Sequence, residues 1–374
     1  MRNFKFVVIV AGEASADLHA SNLVRAMMRS EPGIVFWGIG GKKMEEAGVK
    51  IIFSSSDMAV VGLTEGFSKL GIIARAAKQI KTILKKSRPD LLILIDYPGF
   101  NLHVAKTAKK FNVPVLYYIA PQVWAWRRGR VKKIARRIDH MAVILPFEAD
   151  FYKNSGIAVD YVGHPVLDSV SKEHFPSIPE SNCPVVGIIP GSRIEEIRNL
   201  LPVMISAAEI LEKRYGSIKY ILPLAPTIDQ KFVQSFIEGS RISIEVCKSS
   251  IYSALSICDA AMVTSGTATL ETAVMGVPMV IIYKISPFSY WLAKKVIKTS
   301  FIGLVNLIAG ERVVSELIQN EATPERLAGE ILNILENKEA MNVMKNKMEY
   351  VKQSLGKAGA SEKTAEIALK MMRK

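Results

Sequence analysis

The chain predicts an α/β protein built from two doubly wound parallel sheets. Three observations carry that expectation. Short apolar runs alternate with amphipathic stretches from end to end, which is the βαβ rhythm. A proline-rich break interrupts the rhythm near the middle of the chain, after which it restarts. And 374 residues with 49% hydrophobic content exceed one ordinary core and supply two.

In order along the chain, Phe4–Val10, Leu91–Ile95, Val115–Ile119 and Met141–Leu145 are apolar, turn-bounded runs that predict buried strands. Ile72–Lys86 and His103–Phe111 between them have helical periodicity. Gly38-Ile39-Gly40-Gly41 predicts a turn ahead of a helix over Lys42–Ala47. Lys172–Pro184, with Pro176, Pro179 and Pro184, reads as a linker. The second series predicts strands at Val185–Ile189, Lys219–Pro223, Ser243–Cys247, Ala260–Val263 and Met279–Tyr283, with helices over Glu195–Arg214 and Lys231–Ile237. After Thr323 the pattern is helical throughout. The expected domains are 1–170 and 171–344, two Rossmann-like halves facing a cleft, with ligands at the carboxyl ends of the strands.

Charge separates the halves. The net charge is +14; residues 1–172 hold 26 Lys+Arg against 14 Asp+Glu, and the remainder 23 against 21. The first half therefore suits an anionic partner, either phosphate-bearing lipid or nucleic acid. No apolar run is long enough to span a bilayer, and no signal peptide is visible, so a cytoplasmic protein is expected. Cys183, Cys247 and Cys258 lack metal-ligand spacing and read as reduced and mostly buried. No His, Cys and acidic set has zinc spacing, and no metal or other cofactor is expected.

Two strand-to-helix turns in the second half point to an anion. Pro190-Gly191-Ser192-Arg193 offers free helix N–H groups, the positive dipole end and a guanidinium matched to phosphate. Ser265-Gly266-Thr267 is a second such turn, and Glu271 follows one helical turn later, where its carboxylate suits ribose hydroxyls. Ordinary helix capping is the competing reading for both. In the first half, Gly12-Glu13-Ala14-Ser15-Ala16-Asp17 follows the first strand, and Asp96-Tyr97-Pro98-Gly99-Phe100-Asn101 ends the most apolar one. A carboxylate beside such a strand suits a general base. Asp96 is preferred to the alternative of a helix cap, for which Asn101 is better placed. His164 falls near the domain junction, with a cleft role and a structural hydrogen bond both open.

Trp124 and Trp126, followed by Arg127, Arg128 and Arg130 and a further basic helix, suit a membrane interface or nucleic acid; tryptophan in the core beside a solvated basic helix is the plain alternative. Met58–Leu70 is apolar and glycine-containing, and Arg75, Lys78, Lys81 and Lys85 follow it, the combination a peripheral membrane anchor needs.

These turns, in this order, resemble the lipid-A-disaccharide synthase family, glycosyltransferase family 19. The matching segments include GEASAD (12–17), GIGGKKMEEAG (38–48), DYPGFN (96–101), APQVWAWRRGRVKKI (120–134), LPFE (145–148), GHP (163–165), PGSR (190–193), SGTATLE (265–271) and the long run PFSYWLAKKVIKTSFIGLVNLIAGERVVSELIQ (287–319). The resemblance implies a GT-B fold whose C-terminal helices, from about residue 345, cross back to the first domain and pair two subunits. It implies an inverting, metal-independent transfer from UDP-2,3-diacylglucosamine to 2,3-diacylglucosamine 1-phosphate, by an enzyme peripheral to the inner membrane. Carried residue by residue, it makes Asp96 the catalytic carboxylate, with Glu13 as alternative base. The donor would lie on Gly191, Ser192, Arg193, Ser265, Gly266, Thr267, Glu271 and Asn306. Ala16 and Gly99 depart from residues found in some members. A UDP-sugar 2-epimerase on the same fold and a non-catalytic nucleic-acid-binding protein are the rival readings.

Overall fold

The computed structural model describes residues 4–59, 66–126, 128–173, 175, 183–286, 290 and 300–373. The chain divides into two compact units, Met1–Asp168 with Lys357–Lys374, and Ser169–Gly356.

The first unit is built on a seven-stranded parallel sheet in the order β3-β2-β1-β4-β5-β6-β7. Its strands are β1 Phe6–Ala11, β2 Val35–Gly40, β3 Val49–Ser54, β4 Leu91–Ile95, β5 Val115–Tyr118, β6 His140–Val143 and β7 Ala158–Tyr161. Every residue of β1, β4 and β5 is buried, as a parallel sheet covered by helices on both faces requires. The strand order reverses between β1 and β4, so this pair forms the switch point where ligands bind in such sheets.

The expected turn at Gly38–Gly41 is mostly strand. Gly38 pairs with Ile9, and a Cβ there would stand 1.9 Å from the Ile9 carbonyl oxygen, so glycine permits close approach of β2 to β1 rather than reversal of the chain. The buried carboxylate of Asp17 accepts from the N–H groups of Gly41 (2.7 Å), Lys43 (3.1 Å) and Met44 (3.2 Å), and so caps the short Lys42–Glu46 helix that leaves β2.

The second unit has a six-stranded parallel sheet in the order β10-β9-β8-β11-β12-β13. Its strands are β8 Val185–Ile189, β9 Lys219–Pro223, β10 Ile244–Cys247, β11 Ala260–Thr264, β12 Met279–Tyr283 and β13 Ser315–Ile318. Its switch point lies between β8 and β11. The three cysteines are half-buried rather than sunk in the core.

The chain returns to the first unit at Lys357, later than the expected residue 345. The Lys338–Ser354 helix packs within the second unit, on the Thr267–Val274, Leu304–Ala309 and Pro324–Glu336 helices. The last helix, Ala360–Met372, packs on the Ala14–Ser30 helix of the first unit. Asp168 holds its start: the carboxylate accepts from the N–H groups of Gly359 (2.6 Å), Ala360 (3.2 Å) and Ser361 (3.1 Å). His164 is buried beside His19 in this region and makes the structural hydrogen bond expected of it, accepting from the Val166 N–H at 3.2 Å.

Candidate functional site

At the switch point of the first sheet, Ala11 pairs with Ile95, so Gly12-Glu13 and Asp96-Tyr97 leave adjacent strand ends side by side. Gly12 is required there, because a Cβ would stand 2.4 Å from the Tyr97 ring. The Tyr97 phenol is raised by burial and further by the nearby Glu13 charge. Glu13 is the extended N-cap of the Ala14–Ser30 helix, yet its carboxylate makes no capping hydrogen bond.

Asp96 (φ +47°) and Tyr97 (φ +45°) are both left-handed, a conformation that costs a non-glycine residue about 1–2 kcal/mol. The surroundings hold it in place. The Asp96 carbonyl accepts from the Tyr117 hydroxyl and from Asn101 Nδ2 (2.7 Å), and the Asp96 N–H donates to the Tyr118 carbonyl (3.3 Å). Tyr97, not Asp96, is the N-cap of the following Pro98–Lys110 helix, and no side chain caps it. Asn101 is therefore not the cap it was expected to be. It is fully buried and its amide reaches back to the carbonyls of Ile95 (3.1 Å) and Asp96, so it fixes the backbone that aims the Asp96 side chain.

The basic tryptophan segment divides. Trp124 is buried, its indole N–H donates to Glu148 at 3.0 Å, and its ring meets Phe147 edge-on at 4.9 Å. It braces a loop from inside and does not face a membrane. Burial raises the Glu148 carboxyl to about 7, against hydrogen bonds from Trp124, Leu145 and Ile144. Arg130 is exposed. Arg127, the side chains of Trp126 and Arg128, residues 60–65 and the side chains of 66–70 lie outside the described residues.

In the second sheet Ile189 pairs with Val263, so the turns at Pro190–Arg193 and Ser265–Thr267 also emerge side by side. Gly191 is left-handed (φ +106°), and a Cβ there would stand 2.3 Å from a carboxylate oxygen of Glu196. That carboxylate accepts from the N–H groups of Ser192 (3.1 Å) and Arg193 (3.3 Å) and pairs with the Arg193 guanidinium (3.2 Å). The N–H groups expected to meet an anion here are taken by the Glu196 carboxylate of the chain itself, in a capping box with Arg193.

The second turn is open. Gly266 is the N-cap of the Thr267–Val274 helix, is exposed, has free space where a Cβ would be, and carries no side-chain cap. Deeper in that helix Glu271 accepts from the Tyr252 hydroxyl at 3.1 Å, and burial raises its carboxyl above the usual range. Ser265 reaches the Ile302 carbonyl at 3.4 Å.

Asn306 is not a ligand-facing residue. It is fully buried, its oxygen accepts from Val313 (2.8 Å) and Val314 (2.9 Å), and its nitrogen donates to the Val314 carbonyl and the Glu316 carboxylate, both at 2.9 Å. Glu316 in turn accepts from the N–H groups of Ile302 (3.0 Å) and Gly303 (2.9 Å), so Asn306 acts on the Ser265 turn through that loop. The PFSYWLAKK portion, 287–295, lies outside the described residues apart from Tyr290. Tyr97, Tyr117, Tyr252 and Glu316 escaped the sequence reading, whereas Glu196 has the signal of a first-turn acid and is one. Of those four, only Tyr97 carried a signal, as the bulky residue next to Asp96.

A sequence model of the family described as lipid-A-disaccharide synthetase matches residues 7–371. The lipid-A-disaccharide synthase of Geobacter metallireducens is 48% identical over 380 residues, covering 99% of this chain and 98% of that protein. The Syntrophus aciditrophicus lipid-A-disaccharide synthase is 45% identical, covering 100% and 99%. Among solved structures, a Staphylococcus aureus MnaA–UDP complex superposes with a TM-score of 0.68 at 12% identity, covering 99% and 98% of the two chains. The calicheamicin glycosyltransferase CalG4 superposes at 0.64 with 14% identity, covering 99% of each. At those identities the structures carry the fold, which is GT-B, and the sequence relatives carry the family.

Proposed function

The chain belongs to the lipid-A-disaccharide synthetase family and is a hexosyltransferase of lipid A disaccharide synthesis; from that premise we propose how its two sheet edges divide the reaction. The second unit takes the UDP-sugar. The start of the Thr267–Val274 helix, which no side chain caps, supplies N–H groups for the diphosphate, Arg193 adds positive charge once Glu196 is displaced, and Glu271 accepts hydrogen bonds from the ribose hydroxyls. The first unit takes the acceptor. Asp96 removes the proton of its 6-hydroxyl as that oxygen attacks C1 of the donor sugar, whose bond to the diphosphate breaks through a state of oxocarbenium character. Glu13, beside Tyr97, is the alternative base. One attack on C1 inverts it, giving a β-1,6-linked disaccharide 1-phosphate and UDP.

The observation that carries this reading is the strained Asp96 backbone, fixed by Tyr117, Asn101 and Tyr118 at the switch point. The substrates proposed are UDP-2,3-diacylglucosamine and 2,3-diacylglucosamine 1-phosphate. Both carry acyl chains, so the enzyme works at the inner-membrane surface, to which the +12 first half is drawn. Among the described residues no helix is long and apolar enough to cross a membrane. Val343 and Tyr350, exposed and seven residues apart on the Lys338–Ser354 helix, support pairing of two copies through the C-terminal helices.

The test supplies purified protein with each sugar alone and with both. UDP and a tetraacyl disaccharide 1-phosphate are expected only with both; UDP release from the donor alone, or an epimerised donor, rejects the reading in favour of hydrolase or epimerase chemistry.

A further inference from the structure

The Pro98–Lys110 helix and the segment around the Val131–Ala135 helix of the first unit line an open pocket of about 290 Å³. Leu102 and Ile134 give it an apolar floor, and Lys106, Arg130, Lys133 and Arg137 stand around it. No acidic side chain lines it, and among the described residues none of those four cations has an ion-pair partner. Its neighbours do: Lys109, on the same helix as Lys106, is paired with Asp139 at 2.6 Å. The Arg137 guanidinium donates to the Leu102 carbonyl at 3.0 Å, which fixes its position without neutralising its charge. Four like charges gathered without a counter-charge repel one another, and a bound anion removes that cost. Two guanidinium forks and two ammonium groups suit a phosphate, and the apolar floor suits an amphiphile that carries one.

Position narrows the ligand. Pro98 and Gly99 form one wall, two and three residues after Asp96. Three residues span at most about 11 Å, so one sugar reaches from that wall to the Asp96 side chain.

We infer that this cavity binds a lipid-borne phosphate monoester, the phosphate of the acceptor sugar, and so holds the acceptor with its hydroxyl toward Asp96. The inference rests on the transfer reading above for its orientation, not for the anion site itself. The experiment compares the full chain with the Lys106→Ala/Lys133→Ala double variant, which leaves Arg137 on Leu102. In neutral detergent micelles, KM for the phosphorylated acceptor is expected to rise about tenfold or more while donor KM and UDP affinity stay as in the parent. The parent's preference for the phosphorylated over the dephosphorylated acceptor shrinks by the same factor, and Lys106→Arg/Lys133→Arg restores it. Unchanged UDP affinity and Tm show that the variant is folded. Direct binding of the phosphorylated acceptor, measured without donor, repeats the comparison independently of turnover, so a parent that makes no disaccharide sinks the reaction and still leaves the site tested. Unchanged acceptor KM and acceptor affinity overturn the inference. Binding to phosphatidylcholine vesicles with and without phosphatidylglycerol distinguishes the sources: affinity for the anionic vesicles lost while acceptor affinity persists assigns the cavity to a phospholipid headgroup and also overturns it.

Discussion

Asp96 and Glu271 are acidic residues in opposite settings, and the proposal gives them different uses. Asp96 stands half-buried at a strand end, held by its own backbone. Glu271 is inside a helix with its carboxyl raised by burial and a phenol donating to it. If Glu271 reads the ribose, Glu271→Ala loses hydrogen bonds to a carboxylate, each about 1.5–3 kcal/mol. UDP affinity is then expected to fall by roughly 10-fold to 100-fold for each bond lost, with no loss for 2′,3′-dideoxy-UDP, and calorimetric titration of the two nucleotides reads the difference. Equal losses for both would place the ribose elsewhere. The positions of the two acids were legible in the sequence, because each lies in or just after a strand-to-helix turn whose pattern is local. The roles of Asn101, Asn306 and Trp124 were not. Each is decided by a buried partner distant in the chain or by the path of a loop, Glu148 for Trp124 and Glu316 for Asn306, and no spacing rule reports such a partner.

At the scale of elements, the alternation of strands and helices was legible because fully buried parallel strands are continuous apolar runs. The glycine-rich β2 was misread because the same residues that make a turn also allow two strands to approach closely. The return helix shows a further long-range dependence. Its N-terminus is capped from 191 residues away by Asp168, through three N–H groups. Asp168→Ala leaves those donors buried without a partner and removes charge from the positive helix end, a cost of about 2–4 kcal/mol. The expected outcome is a lower Tm, with protection from hydrogen exchange lost first in Ala360–Met372. Unchanged protection there would mean that packing on the Ala14–Ser30 helix alone holds it.

For the whole molecule, the pair of buried histidines sets an acid limit on stability. Burial lowers His19 to about 4 and His164 to about 3, against 6.5 in an unfolded chain. The unfolded chain therefore binds more protons below pH 6.5, and stability is full above that value and falls as pH drops toward 4 and 3. Each histidine contributes up to about 1.4 kcal/mol per pH unit in that window. Asp168 opposes the lowering of His19, and Lys43 adds to it. Glu148, raised from 4.5 to about 7, runs the other way: its contribution is present when protonated and is lost as pH rises through that range. Denaturant midpoints of the parent compared with His19→Asn and His164→Asn between pH 7.5 and 4.5 separate the two. The variants are expected to lose less stability on acidification than the parent; parallel profiles would contradict the assignment.

The two units carry different charge: the first holds 30 Lys+Arg against 16 Asp+Glu, a net +14, and the second 19 against 19, a net of zero. The proposed division of the reaction requires a group in the first unit that takes the acceptor proton and leaves donor binding alone. The most direct measurement is the rate of disaccharide formation by Asp96→Asn set beside its affinity for UDP. The account predicts a fall in kcat on the order of 10²–10⁴ with UDP affinity unchanged. Transfer near the parent rate, or loss of UDP binding along with activity, would contradict it.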